Sequence, residues 1–256
     1  MAITKVVIAA AGQGTRMLRL TNNKPKHLIN VCKRPFLAYL LDNLFKAGYK
    51  DIILVVGYKE DLMKEFLGKY RSSIKNPKKI ITLISQYEIL GSKEKEYGTA
   101  CPVKCVKDAV AGEPFVFLYG DNLYSVEDLR KMNRDDEYCY VAGIENENPE
   151  KYGVLITEGG FLKEIIEKPK KYVGNLINTG LYKFTPDIFK KLPQIKKSSR
   201  GEFEITDAVS LLAKEKKVKV KKIEDYWKDF GNPGDVIKIS KLFKNGFFKK
   251  FKRPPK

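Results

Sequence analysis

The residues of this sequence best suited to chemistry begin in a short loop after its first apolar run, Gly12–Arg16 within IAAAGQGTRM. Gly12 and Gly14 let backbone N–H groups approach an anion closely, and the start of a helix after them favours negative charge. Arg16 adds a fork of donors that suits phosphate oxygens. The loop is not G-x-G-x-x-G, because Met17 replaces the third glycine, and it is not a P-loop either. It predicts a phosphate site, with an ordinary strand-to-helix turn as the alternative.

Two further segments that could bind a ligand lie where predicted strands end. Gly98-Thr99 precedes a predicted helix, and Asp121 follows the apolar run Phe115–Tyr119. Open α/β sheets bind ligands beyond the carboxyl ends of their strands. We therefore expect both segments to lie near the Gly12–Arg16 loop, around one site.

The elements that must position these segments alternate between strand and helix in the first half of the chain. Short β-rich runs that alternate with helices imply a parallel sheet covered on both faces. The predicted strands are Lys5–Ala10, Ile52–Val56, Ile80–Ile84 and Phe115–Tyr119, and the predicted helices are Phe36–Lys46, Glu60–Phe66 and Pro102–Val110.

After Asp121 the pattern changes to short strands with turn residues between them. The predicted strands there are Tyr138–Ile144, Gly153–Ile156, Leu162–Ile166, Leu181–Phe184 and Val218–Ile223, and the predicted helices are Ile205–Ala213 and Pro233–Leu242. We expect this mixed region to complete the sheet and to form a lid. The sequence shows no internal repeat and no linker long enough to separate two domains.

The segment that follows the first loop narrows the interpretation. Asn23–Leu28 reads NKPKHL, with lysines on both sides of a proline. IAAAGQGTRM followed by KPKHL resembles the signature of the sugar-1-phosphate nucleotidyltransferases, also called nucleotide-sugar pyrophosphorylases. Further segments match in order across nearly the whole chain: GD at 120–121, YGV at 152–154, EKP at 167–169, NTG at 178–180, GEFEITD at 201–207 and DFGNPGD at 229–235. Each match is weak alone, but the ordered set is specific.

The resemblance implies an α/β fold, a Rossmann-like three-layer sandwich with a mixed, mainly parallel central sheet and a smaller sugar-binding β extension. It implies one domain over residues 1–256, with a nucleotide-binding half (1–121), a sugar-binding or lid half (122–230), and a C-terminal helix and basic tail (231–256). In the implied reaction, a sugar-1-phosphate oxygen attacks the α-phosphorus of a nucleoside triphosphate in line, and pyrophosphate leaves. Positioning and electrostatics supply most of the catalysis in such transfers.

The resemblance also implies roles for residues that meet phosphates and the base. Arg16 and Lys26 would hold the β- and γ-phosphates and stabilise the leaving pyrophosphate, and Lys168 would meet the sugar phosphate. These three are the candidate catalytic residues. The candidate nucleotide-binding residues are Ala11, Gly12, Gly14, Thr15, Gln86, Gly98 and Thr99, of which the last three resemble the family's base-reading positions.

On the sugar side, four residues beside Lys168 are expected to hydrogen-bond the sugar hydroxyls: Gly153, Glu167, Asn178 and Thr179. The alternative for Glu167 and Lys168 is an exposed pair at a strand end, and Asn178 could instead cap a turn.

The resemblance implies a magnesium site as well. Asp121 and Asp229 are far apart in sequence, yet in the family these two positions jointly bind Mg²⁺. Carboxylate oxygens and substrate phosphates are the ligands that Mg²⁺ prefers. Alternatively, Asp121 could be no more than a turn residue that ends a strand beside Gly120, and Asp229 could simply start a turn before Gly231.

The motifs leave the substrates open. AAGQGTRM is similar to the uridylyltransferase version of the signature, whereas GEFEITD is similar to the thymidylyl branch. A thymine methyl changes affinity by only about 1–3 kcal/mol, so relaxed choice between UTP and dTTP is reasonable. We favour UTP with glucose-1-phosphate, with a cytidylyltransferase acting on phosphocholine or another small phosphate as runner-up. A non-catalytic nucleotide-sugar-binding regulatory subunit is the alternative from another class. The presence of the predicted catalytic and metal-binding side chains favours an enzyme.

The net charge of +18, from 49 Lys and Arg against 31 Asp and Glu, raises the question of a polyanionic partner. The sharpest basic run is the aromatic tail within LFKNGFFKKFKRPPK, residues 243–256. Contact with RNA or a membrane surface is one interpretation. We prefer a last helix that packs its phenylalanines on the body, with no nucleic acid partner. No apolar run approaches the roughly 20 residues of a membrane span, so no stable membrane insertion is expected.

The four cysteines, Cys32, Cys101, Cys105 and Cys139, accompany a single histidine, His27. This set does not match usual zinc-ligand spacings, so we expect free thiols in a reducing cytoplasm, with a Cys101–Cys105 bridge as a minority alternative. Family members form dimers or tetramers, which makes a homo-oligomer an open expectation. The left-handed β-helix that some relatives carry is not found in this sequence, and we expect no second activity.

Overall fold

The protein is built on a central sheet that takes strands from both halves of the chain. The computed structural model describes residues 3–74, 76–91 and 96–250. Its strands are Lys5–Ala10 (β1), Asn30–Val31 (β2), Arg34–Pro35 (β3), Asp51–Val56 (β4), Ile80–Ser85 (β5), Phe115–Tyr119 (β6), Asn122–Tyr124 (β7), Cys139–Glu145 (β8), Gly153–Glu158 (β9), Phe161–Glu167 (β10), Leu176–Phe184 (β11), Val218–Lys222 (β12) and Trp227–Asp229 (β13).

The helices connect these strands and cover the sheet. They are Phe36–Ala47 (α1), Glu60–Ser72 (α2), Gln86–Leu90 (α3), Cys101–Cys105 (α4), Lys107–Val110 (α5), Val126–Lys131 (α6), Ile188–Lys191 (α7), Ile205–Lys214 (α8) and Pro233–Lys244 (α9). Short 3₁₀ turns cover Thr15–Thr21, Lys26–Leu28, Pro149–Lys151, Leu192–Gln194 and Phe247–Lys249.

The strand order of the central sheet explains where a ligand can bind. Within the described residues this sheet has nine strands, in the order β5-β4-β1-β6-β11-β8-β12-β10-β9. Strands β5, β4, β1 and β6 pair in parallel, so their carboxyl ends lie along one edge. Strand β11 is antiparallel to β6 and to β8, and β12 is parallel to β8. The sheet is therefore mixed, as predicted, with most of its parallel pairs in the N-terminal half.

Two hydrophobic cores cover the two faces of the sheet. Val6 and Ile8 of β1 pack on the side of α1, whereas Val7 packs on the side of α4 and α8. Because neighbouring residues of one strand point to opposite faces, the apolar run of β1 serves both cores. This arrangement gives the three layers that the sequence predicts.

The structure corrects two predicted elements and adds others. The helix predicted at Pro102–Val110 is two short helices, because Val106 leaves helical geometry with φ −105° and ψ 7°. The strand predicted at Leu181–Phe184 already begins at Leu176, and its register shifts between Asn178 and Tyr182. The sequence patterns did not predict α3, α6, α7, β2, β3, β7 or β13.

The aromatic residues at the end of α9 and just after it pack on the body of the protein, which is the packing preferred for the tail. The Phe243 ring lies 4.2 Å from that of Tyr39, and the Phe248 ring lies 5.0 Å from that of Tyr226. The rest of the tail, residues 251–256, lies outside the described residues. Across the described part of the chain, every helix is too short or too polar to cross a bilayer. All four cysteines, each within that part, are free thiols.

Candidate active site

All of the predicted site residues line one cleft of about 540 Å³. They are Ala11, Gly12, Gly14, Thr15, Arg16, Lys26, Gln86, Gly98, Thr99, Asp121, Gly153, Glu167, Lys168, Asn178, Thr179 and Asp229. The cleft lies beyond the carboxyl ends of β1 and β6, where a ligand site is expected in such a sheet. A second surface cleft, between residues 145–150 and 169–175, contains none of them.

The loop after β1 is open toward the cleft. Gly14 adopts a φ of +67°, and a Cβ there would lie 3.1 Å from carbon atoms of the Lys26 side chain. Glycine at this position therefore lets Lys26 cross the loop. Thr15 and Arg16 are exposed, and in the described part of the protein no carboxylate forms an ion pair with Arg16. Its guanidinium is free to meet an anion.

Lys26 forms an ion pair with Asp121 in the floor of the cleft. Burial on its own raises the pKa of Asp121, but the Lys26 ammonium outweighs it and holds that pKa below its usual value. His27 lies beside this pair, and burial, followed by the charge of Lys26, lowers its pKa to about 3. His27 is therefore neutral at physiological pH. It packs against Gly120, where a Cβ would lie 3.0 Å from the imidazole.

The two aspartates that are distant in sequence are brought together by a two-stranded ribbon of β7 and β13. Asp229 pairs with Asn122 in this ribbon, and the Phe230 N–H donates to the Asp121 carbonyl at 2.8 Å. The ribbon is fixed further by Trp227, whose Nε1 donates to Asn122 Oδ1 at 2.8 Å. Asp121 and Asp229 consequently lie side by side in the cleft.

The charges of these aspartates act on one another. Burial, and then the charges of Asp121 and Asp235, raise the pKa of Asp229 to about 6. Among the described residues there is no group of three or more His, Cys, Asp or Glu side chains able to hold a metal ion. Two neighbouring carboxylates are a partial ligand set, which suits a cation that also takes phosphate oxygens and water.

On the opposite side of the cleft lies Gln86, the first residue of α3. Its side chain is 2% exposed, and its Oε1 atom has no hydrogen-bond partner among the described residues. An unpartnered buried carbonyl that lines a cleft is an available acceptor for a ligand N–H.

Gly98 and Thr99 are bound to the segment that precedes α8. A Cβ on Gly98, which has a φ of +131°, would lie 2.3 Å from the Phe203 carbonyl oxygen. Phe203 N–H donates to Tyr97 O at 2.8 Å, and Ala100 N–H donates to Phe203 O at 2.9 Å. Glycine is therefore required for this close backbone approach.

The Thr99 hydroxyl serves the fold. It donates to Glu204 Oε2 at 3.0 Å and accepts from the Ile205 N–H at 2.9 Å, which caps α8. Glu204 is 7% exposed and also accepts from Arg200 at 2.8 Å. The Thr99 hydroxyl is thus used within the fold, so a contact between Thr99 and a nucleotide base is expected to come from its backbone.

The sugar-side residues come from β9, β10 and β11. Gly153 pairs with Glu167, and a Cβ on Gly153 would lie 3.0 Å from Glu167 Oε2. Lys168 has a φ of +45°, which is unusual for a residue with a side chain, and its N–H donates to Tyr152 O at 2.9 Å. The absence of a Cβ at Gly153 gives the carboxylate room beside the cleft.

Asn178 and Thr179 differ in what they offer a ligand. Asn178 Nδ2 donates to Tyr182 Oη at 2.5 Å, and Asn178 Oδ1 accepts from the Gly180 N–H at 2.9 Å, which leaves one amide hydrogen. The Thr179 hydroxyl donates to Ala142 O at 2.9 Å, and its carbonyl accepts from Tyr124 Oη at 2.6 Å. The Thr179 hydroxyl proton is therefore used within the fold, and a sugar contact would use its N–H or a lone pair of the hydroxyl oxygen.

The cleft also contains residues to which the sequence analysis gave no role. They include Tyr97, Tyr119, Lys151, Tyr152, Arg200, Glu202, Glu204, Thr206 and Trp227. Glu202, Glu204 and Thr206 lie within GEFEITD. The motif therefore indicated a segment that lines the cleft, but it did not indicate what each of its residues does there. Tyr119 ends an apolar strand, and no pattern separated it from core residues.

Comparison with known proteins agrees with the family resemblance of the sequence motifs. The family model for nucleotidyl transferases matches residues 5–246. The chain is 34% identical to a bifunctional sugar-1-phosphate nucleotidylyltransferase/acetyltransferase of Sulfurisphaera tokodaii over 93% of its own length. It spans 55% of that relative and about half of two archaeal proteins named Bifunctional protein GlmU.

One other relative and one solved structure match along nearly their whole length. UTP–glucose-1-phosphate uridylyltransferase AglF of Haloferax volcanii is 32% identical, over 90% of this chain and 93% of the relative. The crystal structure of a UDP-glucose pyrophosphorylase in complex with UDP-glucose superposes with a TM-score of 0.80 at 25% identity, covering 97% of this chain and 99% of that one. The chain therefore belongs to the nucleotidyl transferase family, and the family predicted from its motifs is confirmed.

Proposed function

We propose that this chain transfers a nucleotidyl group from a nucleoside triphosphate to a sugar-1-phosphate, and that the 540 Å³ cleft is its active site. The observation that carries the proposal is the meeting, in one cleft, of side chains from widely separated motifs. Arg16 and Lys26, the two carboxylates Asp121 and Asp229, and Lys168 all line it. In this proposal residues 1–121 bind the nucleotide and residues 122–230 bind the sugar.

The chemistry proposed for the cleft needs no general base. The attacking oxygen of a sugar phosphate is already ionised, so the protein must mainly bring two polyanions together. Arg16 and Lys26 would neutralise the charge that grows on the leaving pyrophosphate. Lys168 would hold the sugar phosphate in line with the α-phosphorus.

Asp121 and Asp229 are proposed to hold Mg²⁺. The raised pKa of Asp229 supports this assignment, because its physical cause is burial next to a second carboxylate, and a divalent cation would relieve that repulsion. When bound there, Mg²⁺ would supply positive charge to the phosphate oxygens. The cleft would then contain positive charge from both side chains and metal.

For the substrates we propose UTP and glucose-1-phosphate, with dTTP as a second nucleotide. AglF is named for UTP and glucose-1-phosphate, and the matching crystal structure contains UDP-glucose. The free Oε1 of Gln86 could accept the N3–H of uracil or thymine equally well. Cytosine has no N–H at that ring position, which makes the cytidylyl alternative less favourable.

The test is pyrophosphate release with Mg²⁺ across a grid of substrates. UTP, dTTP, CTP, ATP and GTP would each be combined with glucose-1-phosphate, N-acetylglucosamine-1-phosphate, galactose-1-phosphate, mannose-1-phosphate and phosphocholine. A strong signal for UTP with glucose-1-phosphate supports the proposal, and a signal only for CTP with phosphocholine replaces it with the cytidylyl alternative. Silence in every combination, with nucleotide binding retained in calorimetry, identifies a non-catalytic regulatory relative.

A further inference from the structure

The carboxylate of Asp121 has a second polar neighbour besides Lys26. This neighbour is Asn122, the first residue of β7, which is 5% exposed. Asn122 Nδ2 donates to Asp121 Oδ1 at 3.3 Å, whereas the ion pair with Lys26 uses Asp121 Oδ2. Each oxygen of the carboxylate therefore has its own partner, and each keeps a lone pair for a further ligand.

The other end of the Asn122 amide is held by an indole. Trp227 Nε1 donates to Asn122 Oδ1 at 2.8 Å across the β7–β13 ribbon. Despite burial, the charge of Lys26 holds the pKa of Asp121 below its usual value, so this carboxylate is ionised near neutral pH. An indole N–H only donates and an ionised carboxylate only accepts, so the amide between them must turn its oxygen to Trp227 and its nitrogen to Asp121. The two neighbours of Asn122 thus determine how its side chain is oriented.

Asn122 also connects the two carboxylates of the cleft. Its backbone pairs with Asp229 in the ribbon, and its side chain contacts Asp121. Trp227 lies two residues before Asp229 on β13, so the indole and the Asp229 carboxylate share one face of the ribbon. All four residues line the cleft. Asn122 therefore holds Asp121 and Asp229 in a fixed relation to one another.

The proposed reaction gives this amide contact a specific use. Lys26 is proposed to meet the phosphates, and a lysine that turns to a phosphate gives up its ion pair with Asp121. The Asn122 amide is neutral and buried, so phosphate groups compete for it far less than for an ammonium group. Its hydrogen bond can therefore keep the Asp121 carboxylate in place after Lys26 has turned away.

We propose that Asn122 is a positioning residue, which holds the Asp121 carboxylate beside Asp229 for a divalent cation and is itself held by Trp227. This inference rests on the proposed function, because it concerns the metal site proposed there. It gives Trp227 an indirect part in metal binding, through its indole N–H.

The test measures metal affinity directly. Mn²⁺ takes the oxygen ligands that Mg²⁺ takes, and its free form can be followed by electron paramagnetic resonance during a titration of the protein. Asn122→Leu keeps most of the side-chain volume and removes both polar atoms. We expect its Kd for Mn²⁺ to be about tenfold higher than that of the wild type, as for loss of other groups that orient a metal ligand. An unchanged Kd would overturn the inference.

The matched control is Asn43→Leu. Asn43 lies on α1, and its Nδ2 donates to Tyr124 O at 2.9 Å and to Tyr226 Oη at 3.2 Å. It therefore supports the same strand, β7, through hydrogen bonds that do not involve Asp121. Both variants should lower the melting temperature, but only Asn122→Leu should weaken Mn²⁺ binding. An equal rise of the Mn²⁺ Kd in both variants would show that Asn122 is merely structural.

Trp227→Phe tests the part given to the indole. Phenylalanine keeps an aromatic ring beside Tyr152, whose ring lies 5.6 Å from that of Trp227, and it removes the N–H. We expect the Mn²⁺ Kd to rise about two- to fivefold, because the Asn122 amide can then turn either way. This effect should disappear in the Asn122→Leu background. The same rise in both backgrounds would contradict an action through Asn122.

The outcomes separate this inference from the proposed function. A wild type that binds Mn²⁺ through Asp229 but releases no pyrophosphate contradicts the proposed function, and the Kd values still decide the inference. A wild type that releases pyrophosphate, together with an Asn122→Leu variant of unchanged Mn²⁺ Kd, overturns the inference alone. If Asp229→Asn leaves Mn²⁺ binding unchanged, or if the wild type binds no Mn²⁺ even with UTP present, the metal assignment and this inference are overturned together.

Discussion

Replacing Asp229 with asparagine should stabilise the metal-free protein while abolishing its turnover. The Asp229 carboxyl is largely buried, and burial together with the neighbouring charge of Asp121 raises its pKa from 3.8 to about 6. The folded protein therefore holds this carboxylate at a cost in free energy. Asparagine has nearly the same shape and removes the repelled charge, so the cost should disappear together with the proposed metal ligand.

The size and pH dependence of the effect follow from the pKa. A rise from 3.8 to about 6 disfavours the ionised form by roughly 3 kcal/mol. Above about pH 6 Asp229 is ionised in both the folded and unfolded protein, so the whole penalty applies. As the pH falls toward 4, the folded protein takes up the proton first and the penalty is lost. Allowing for imperfect hydrogen bonding by the amide, we expect a net gain of about 1–2 kcal/mol near pH 7.5 and almost none near pH 4.

The assay is thermal unfolding followed by circular dichroism, in the presence of a chelator, at both pH values. For a chain of this size the gain near neutral pH corresponds to a melting temperature about 2–6 °C higher. Asp61→Asn is the matched control, because its side chain is 94% exposed and the same substitution there should change little at either pH. A lower or unchanged melting temperature for Asp229→Asn near pH 7.5, or an equal gain at both pH values, would refute the reasoning. Mg²⁺ with UTP should then stabilise the wild type more than the variant.

Three other variants test other parts of the site. Asp121→Asn should lower the free energy of unfolding by about 1–3 kcal/mol, because it leaves Lys26 unpaired in the floor of the cleft. It should also lower kcat at least about 100-fold. Near-normal turnover with Mg²⁺ would contradict the metal assignment. Arg16→Ala should lower kcat strongly in the pyrophosphate assay. Its melting temperature should not change, since Arg16 is exposed and unpaired among the described residues. A raised KM with an unchanged kcat would show that Arg16 is only a binding residue. Gly98→Ala should destabilise the protein by about 2–4 kcal/mol, because its Cβ would overlap the Phe203 backbone, and a wild-type unfolding curve would show that the two segments can separate without cost.

Much of the fold could be predicted from the sequence, because strands β1, β4 and β6 are continuous apolar runs bounded by polar or turn residues. The site could be located for the same reason, since its loops follow these strands at one edge of the sheet. Strand β11 was only partly predicted. Its first residues, LINTG, contain polar residues and a glycine that are typical of a turn, and the shift in register after Asn178 interrupts the alternation.

The elements that were not predicted are those whose stability comes from tertiary contacts. Strands β7 and β13 have three residues each, too few for any periodicity to show. Helix α6 has six residues, and its Asp128 carboxylate accepts from the Glu224 N–H at 2.8 Å and the Asp225 N–H at 3.1 Å, which lie 96 and 97 positions away. Sequence also could not show that the Thr99 and Thr179 hydroxyls are occupied by the fold, because their partners lie 105 and 37 positions away.

The β7–β13 ribbon has a consequence for the order in which the protein becomes competent during its synthesis. Asn122 and Trp227, which are joined by a side-chain hydrogen bond across it, are 105 positions apart, so the ribosome completes the proposed triphosphate loop and the first carboxylate long before the second. A nascent chain that has reached only Asp121 contains the parallel strands β1, β4, β5 and β6. It cannot yet assemble the paired carboxylates. Translation arrested at any point before Asp229 therefore yields a polypeptide that lacks the second of the two carboxylates proposed to hold the cation.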